Sequence, residues 1–538
     1  MWELENIMLP ELVNNIKKNP SLTMEIKGIN YSDMLSDGDM VDSKNISARR
    51  YPYISTRKKR DPYTSIDGVN AIDVMVYDGK LITVKQTSSS STNIAYNEQI
   101  LTPSGLSAGE KQMAIVNTKL VVFPDKVMYD FKTQTLKSLE AEFQAESYFT
   151  QNSLYMHTGS RGLITGAGFK KGDTIKISGC SVADNNKEIT IQSMTYDEDT
   201  GFSRIRTSEN AFTPVAWNEG GLNDLIKIKR EVPNLDFICE ADNRLWGVSN
   251  ADKTIYASAL GDPTNFHTYE GVSTDSYAVA VGSEGDFTGC CKLGTSVLFW
   301  KEDKLHKMMG SYPAEYTLYT YEIEGVAKGS HKSMVVINDS LYYLGLHGVF
   351  VYNGSYPISI SQNFGERIFT NGVGGTDGDS YFLSCKDGNE DFFFVYELKH
   401  NIWIKEDDFY AMAFARIGRD VYYADGERVY KLYGTEDDPN MEWLIHFAPM
   451  YESIEGKKCY SKFILRVEMP EKSYLLFHVK QDDGKWREMG RILGSKHNTK
   501  TLYLPRMRCD KFEIKMEGKG AMTILGMYRD FVLGSEVR

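Results

Sequence analysis

The 538-residue chain has no Cys-x-x-Cys pair, no His-Glu-x-x-His and no other close spacing among its nine histidines. A zinc site built from neighbouring ligands is therefore excluded by pattern. The seven cysteines, at 180, 239, 290, 291, 385, 459 and 509, are odd in number and two are adjacent. That arithmetic argues against a disulfide framework and for reduced thiols made in a cytosol. No run of 18 apolar residues occurs, so no membrane-spanning segment is expected. The first 20 residues lack the charged start, apolar block and cleavage site of a secretory leader, which predicts a soluble, non-secreted protein. Proline is sparse, at 15, and no Gly-x-Ser-x-Gly nucleophile elbow is expected. The formal charge of −12 argues against a surface that binds nucleic acid throughout.

What the chain does have is glycine (45), tyrosine (33) and a 12% aromatic fraction. These suit many short strands joined by tight turns. Seven segments share one pattern: an apolar strand, an Asp-, Asn- or Gly-rich turn, and a second strand with an aromatic or β-branched centre. Aligned on an apolar residue just after the turn, they fall at Leu81, Leu120, Leu245, Val297, Leu341, Tyr381 and Val421. The gaps are 39, 125, 52, 44, 40 and 40 residues. All but the second match the period of about 40–50 residues of four-stranded propeller blades. The clearest unit is Asp242 to Tyr269, a hairpin followed by a Gly-Asp-Pro-Thr-Asn corner at 261–265.

The long gap calls for an insertion of roughly 80 residues, on the same period. Strands at Thr174–Ser178 and Glu188–Met194, with turn signals at Gly172-Asp173 and Asn185-Asn186, read as a small β-module. Past residue 438, alternation in FILRVEM and FEIKMEG points to an antiparallel sandwich of about seven strands. The predicted class is all-β: a six- or seven-bladed propeller with an inserted β-module and a C-terminal antiparallel sandwich. The predicted division is an N-terminal arm over 1–45, first blades over 46–149, the module over 150–232, remaining blades over 233–437 and the sandwich over 438–538. Residues 1–20 read as a short amphipathic helix broken at Pro10 or an arm that docks on a partner.

No catalytic residue, cofactor site or metal site emerges from the pattern. His306, His331 and His347 sit beside strands at ordinary places, and Asp197 to Asp199 and Asp387 to Asp391 read as hairpin turns rather than calcium loops. The run Gly166 to Asp173 fails both phosphate-loop spacings and is followed by a strand. Asp482 to Trp486 is one residue short of a sialidase-type Asp box. Trp246, Trp300 and Trp403 lie on strands, where packing explains them. The densest positive charge is Arg57-Lys58-Lys59-Arg60, a solvated loop or one that faces DNA phosphates.

Several stretches together resemble the β-propeller tail nozzle or hub proteins of short-tailed bacteriophages, also described as packaged-DNA stabilisation proteins. They are Arg50-Tyr51-Pro52 with Arg57, GDTIKISGC with NNKEITI, NRLWGV with TIYASALGDPTNF, Ser273 to Cys290, Phe299 to Met308, and Leu504 to Gly520. The resemblance implies a non-enzymatic virion protein, synthesised in the host bacterial cytoplasm and placed in the tail as a ring of six. Such a ring continues the DNA channel below the portal and adaptor, retains packaged DNA, and carries fibres or a needle. Net negative charge suits a conduit for a polyanion, since each neutralised phosphate adds affinity and drag. The alternative is a receptor-binding or glycan-acting propeller, which needs carboxylates converging at the axial mouth, with Asp377, Asp379 and Glu427 as candidates.

Overall fold

The computed structural model describes residues 22–63, 70–207, 210–452, 456–504 and 508–533. The two readings of residues 1–20 lie outside them. Seven antiparallel blades form the body of the chain. In chain order their innermost strands are Asn70–Tyr77, Gln112–Val116, Phe237–Ala241, Gly289–Leu293, Val335–Ile337, Thr370–Thr376 and Ala413–Ile417.

Each of the seven anchor residues is the second residue of a blade's second strand, and each is buried. The reason is local. Two-residue turns such as Asp78-Gly79, Asp242-Asn243 and Asn338-Asp339 have φ near +50° to +70° at both positions, the geometry that matches strand twist. They fix the register, and the first apolar residue after the turn then drops into the space between blades. Near the axis the inner strands come so close that side chains must vanish. A Cβ at Gly374 would lie 2.5 Å from the Ser333 carbonyl oxygen, and one at Gly375 2.7 Å from the Phe414 side chain.

The inserted module is a seven-stranded sheet between blades 2 and 3, opened by Ala141–Thr150 and closed by Asp224–Arg230, which pair with each other. Buried Arg230 locks its base, donating to Asp173 at 2.5 Å and to the carbonyls of Gly168 and Leu139.

The N-terminal boundaries differ from those expected. Asp39–Lys44, Ile46–Ser47 and Ile54–Thr56 are neither an arm nor a first blade, but strands of the eleven-stranded terminal sheet, and blade 1 starts only at Asn70. Between them, Asp61–Pro62 pairs with Val429–Lys431 as the outermost strand of blade 7, so the ring is closed by the start of the chain. A central ring needs this because a last blade left one strand short exposes an edge.

The terminal sheet holds two strands far longer than the rest, of 24 and 17 residues. Lys458–Gln481 and Arg487–Tyr503 form one long hairpin whose register breaks around Met469 to Tyr474. Before the break Lys458–Gln481 also pairs with Thr523–Leu533, and after it with Phe512–Lys519. The hairpin thus folds across two layers, and Phe463 meets Phe477 at 4.9 Å between ring centres. This core is continuous with blade 6 through Tyr381, Leu383, Phe394 and Trp403.

Candidate functional site

The inner strands enclose an axial cavity of about 350 Å³, lined by blades 1, 2, 5, 6 and 7. Antiparallel four-stranded blades place all inner-strand starts on one face of the ring. Residues far apart in sequence therefore meet there. Asp73, near the start of blade 1's inner strand, occupies a break in strand register after Ala71. Glu110 precedes the inner strand of blade 2. His331 and Lys332 lie on the short turn before that of blade 5.

The Lys332 ammonium sits between the two carboxylates, 2.9 Å from Asp73 Oδ2 and 3.1 Å from Glu110 Oε1. His331 Nε2 lies 3.0 Å from Glu110 Oε1 and 3.0 Å from Gln112 Nε2. Burial raises the Asp73 pKa, with Lys332 opposing. Burial also acts on Glu110, but hydrogen bonds from His331 and Lys332 outweigh it and hold that carboxyl down to about 2. On Lys332, burial is overcome by the two carboxylates, which raise its pKa. The group is an ion-pair network across the axis in which one ammonium serves two carboxylates.

The residues named from sequence fall elsewhere. Arg60 is not a phosphate-facing group: it donates to Asp407 at 2.7 Å, lies 3.7 Å from Glu406 and stacks 4.0 Å over Phe409. Arg57 likewise turns inward, to Asn45 Oδ1 at 2.8 Å and Asp407 at 3.6 Å. Lys58 is exposed and pairs with Asp437 at 2.8 Å, and Lys59 is exposed. The loop is a strap that ties the ring closure to blade 6. Asp377 pairs with Arg49, on the turn between the first two strands of blade 6. Glu427 lies on the turn between the second and third strands of blade 7, at the opposite face, so Asp377, Asp379 and Glu427 do not converge.

His306 is buried between Ser283 Oγ and Thr320 Oγ1, and burial lowers its pKa to about 4. His347 is exposed beside Glu324. Against expectation, one run does have Gly-x-Ser-x-Gly spacing, Gly105 to Gly109. Ser107 there ends a two-residue strand and its hydroxyl accepts from Lys111, which is committed to Asp125 at 2.6 Å, so no general base serves it. Among the described residues, no group of three His, Cys, Asp or Glu side chains is placed to hold a metal ion.

Gly166 to Asp173 and the 261–265 corner explain each other. Asn265 Nδ2 and Thr268 Oγ1 both donate to the Gly172 carbonyl, at 2.8 and 2.7 Å, and Lys170 reaches Asp262 at 2.5 Å. The corner is the weld between module and ring. Sequence reasoning missed Asp73, Glu110 and Lys332. The only local signal was an acid inside the apolar alternation NAIDVMVY.

No protein-family model and no curated protein matches the chain. Solved structures similar to it include Kluyveromyces lactis Hsv2, at 10% identity and a TM-score of 0.26, covering 63% of this chain and 97% of that one. PorZ, a surface component of the type-IX secretion system of Porphyromonas gingivalis, is 10% identical, with a TM-score of 0.28 and coverage of 88% and 85%. An exo-β-1,3-galactanase from Phanerochaete chrysosporium is 8% identical, with a TM-score of 0.21 and coverage of 53% and 92%.

Proposed function

We propose that this chain is a non-enzymatic structural protein of a tailed-bacteriophage virion, a nozzle or hub subunit that extends the DNA channel below the portal and adaptor. The observation that carries the reading is where the phage-like stretches fall. Arg57 ties the strap to Asp407 of blade 6, and Asp262 and Asn265 of the GDPTNF corner weld the module to the ring. Ser273 and Asp275 offer carbonyls to buried Arg244 of NRLWGV. These stretches are taken up in contacts that hold ring, module and terminal sheet together. Stiffness is what a ring subunit around pressurised DNA requires, since its work is done by shape and by surfaces repeated about a symmetry axis. Channel-facing charge in such a ring comes from Lys58 and Lys59 rather than Arg57 and Arg60. The test is sedimentation and electron microscopy of the purified chain alone and with portal and adaptor. A ring of about six subunits is expected, and a chain that stays monomeric and is absent from purified virions refutes the proposal.

One observation favours the glycan-acting alternative. Asp73 and Glu110, with pKa values pushed in opposite directions, share one ammonium and so lie close enough to act as an acid and base pair. Incubation with host surface glycans separates the readings. Hydrolysis that disappears in both D73N and E110Q would replace the structural assignment.

A further inference from the structure

Blade 4 has an edge unlike the others. The outermost strands of blades 1, 5 and 7 are two residues long, and those of blades 2 and 3 are four. The outermost strand of blade 6 packs against the terminal sheet. Blade 4 ends in Thr317–Glu322, six residues paired without register shift to Lys304–Met309. Among the described residues no strand pairs with its other side. Five of the six residues are exposed, and the strand carries no lysine, no proline and no bulge, the usual devices that protect an edge.

Such an edge offers a row of main-chain N–H and C=O groups, which only another extended chain can satisfy fully. Its side chains narrow the choice. Tyr319 and Tyr321 are 46% and 41% exposed, and Met309, opposite Thr317 in the register, is 41% exposed. Together they lie on one face, with Lys307 opposite Tyr319, where every second residue of an added strand would lie. Around the strand lie the exposed carboxylates of Glu302, Asp303, Glu315 and Glu322, of which Asp303 is paired with half-buried Lys304 at 2.5 Å, while Lys307 is half-buried on the neighbouring strand. A second copy laid on this edge would bring the same exposed carboxylates, Glu315 and Glu322, against their equivalents, which like-charge repulsion opposes.

We propose that the outer edge of blade 4 docks an extended segment of a partner chain in which apolar residues alternate with lysine or arginine. Main-chain bonds hold the segment, the tyrosine strip takes its apolar side chains, and the carboxylates take its cations. This edge is available whether or not the chain belongs to a tail.

The test is amide hydrogen exchange on the full chain with an acetylated, amidated octapeptide of alternating lysine and valine. Exchange of the outward-facing amides in 317–322 should slow at least tenfold at saturation. The same peptide with alternate N-methylated amides should give no protection, and the version with aspartate in place of lysine should bind at least tenfold more weakly. The Tyr319→Lys, Tyr321→Lys double variant, which changes only exposed side chains, should keep its Tm and lose at least tenfold in affinity. Absence of protection at 317–322, or equal binding of the aspartate peptide, overturns the proposal. Protection that rises with protein concentration alone also overturns it, because it assigns the edge to a second copy.

Discussion

Lys332 is the residue on which the ring's centre depends most. Its ammonium compensates two carboxylates from different blades, one of them buried. Removing one partner of such a set strands the other charge, typically at about 3–5 kcal/mol. Lys332→Met should therefore lose stability of that order in urea unfolding. Adding Asp73→Asn should restore most of it, because the orphaned charge is then gone. An undiminished midpoint in the single variant would mean the network is solvated. His306 sets a second dependence. Its native pKa of about 4 lies below the ordinary value of about 6.5, so the unfolded chain binds a proton that the native state refuses. Stability is full above pH 6.5 and falls as pH drops toward 4, by on the order of 3 kcal/mol from this group. His306→Gln should flatten that slope in a pH series of thermal melts. Since His306 also meets Thr320, acid should loosen the outer strand of blade 4 first, which hydrogen exchange can track.

Among the elements, the strap from Asn45 to Pro62 joins the most structure with the fewest residues. It leaves the terminal sheet, crosses blade 6 through Arg57 and Arg60, and completes blade 7. Arg60→Met keeps the contact with Phe409 but abandons buried Glu406 and Asp407. A loss of about 3–5 kcal/mol is expected, together with earlier proteolytic cleavage between residues 57 and 63. Loss of stability without new cleavage would show that closure survives without the arginine. In sequence this segment is a basic cluster, and a charge cluster is usually solvated. What reversed that is Glu406-Asp407, some 350 residues away in the chain by their numbering, on a strand whose acids face inward. The long hairpin had a similar fate. Met469 to Ser473 reads as a break between strands, while in the fold the same chain carries its pairing around the bend into the other layer.

For the whole molecule, the arrangement is a ring with two attachments of different character. The terminal sheet shares a core with blade 6, so the two should unfold as one unit. The module has its own core and leaves and returns through paired neighbours, Ala141 and Arg230. Replacing residues 142–229 with a short glycine linker should leave a folded seven-bladed ring. Its Tm should fall by a few degrees, since the bonds to Gly172 and Lys170 are lost. A variant that fails to fold would show the module to be part of the ring's own core.

The sequence by itself determined the class, the blade period, the insertion and the antiparallel strands that follow the last blade. All of these rest on alternation and turn chemistry, which are local. Leu81, Leu245 and Leu341 could be placed without coordinates because a turn of two positive-φ residues sets the register of the strand it leads into. Only the tertiary structure decided that there are seven blades, that Asp61–Pro62 closes the ring, and that Asp73, Glu110 and Lys332 form the axial network. Each depends on which distant strands become neighbours, and strand pairing leaves no mark on the spacing of the residues it brings together. The same holds for the open edge of blade 4. Its tyrosines are visible in the sequence, but their exposure depends on which edges the remaining chain covers.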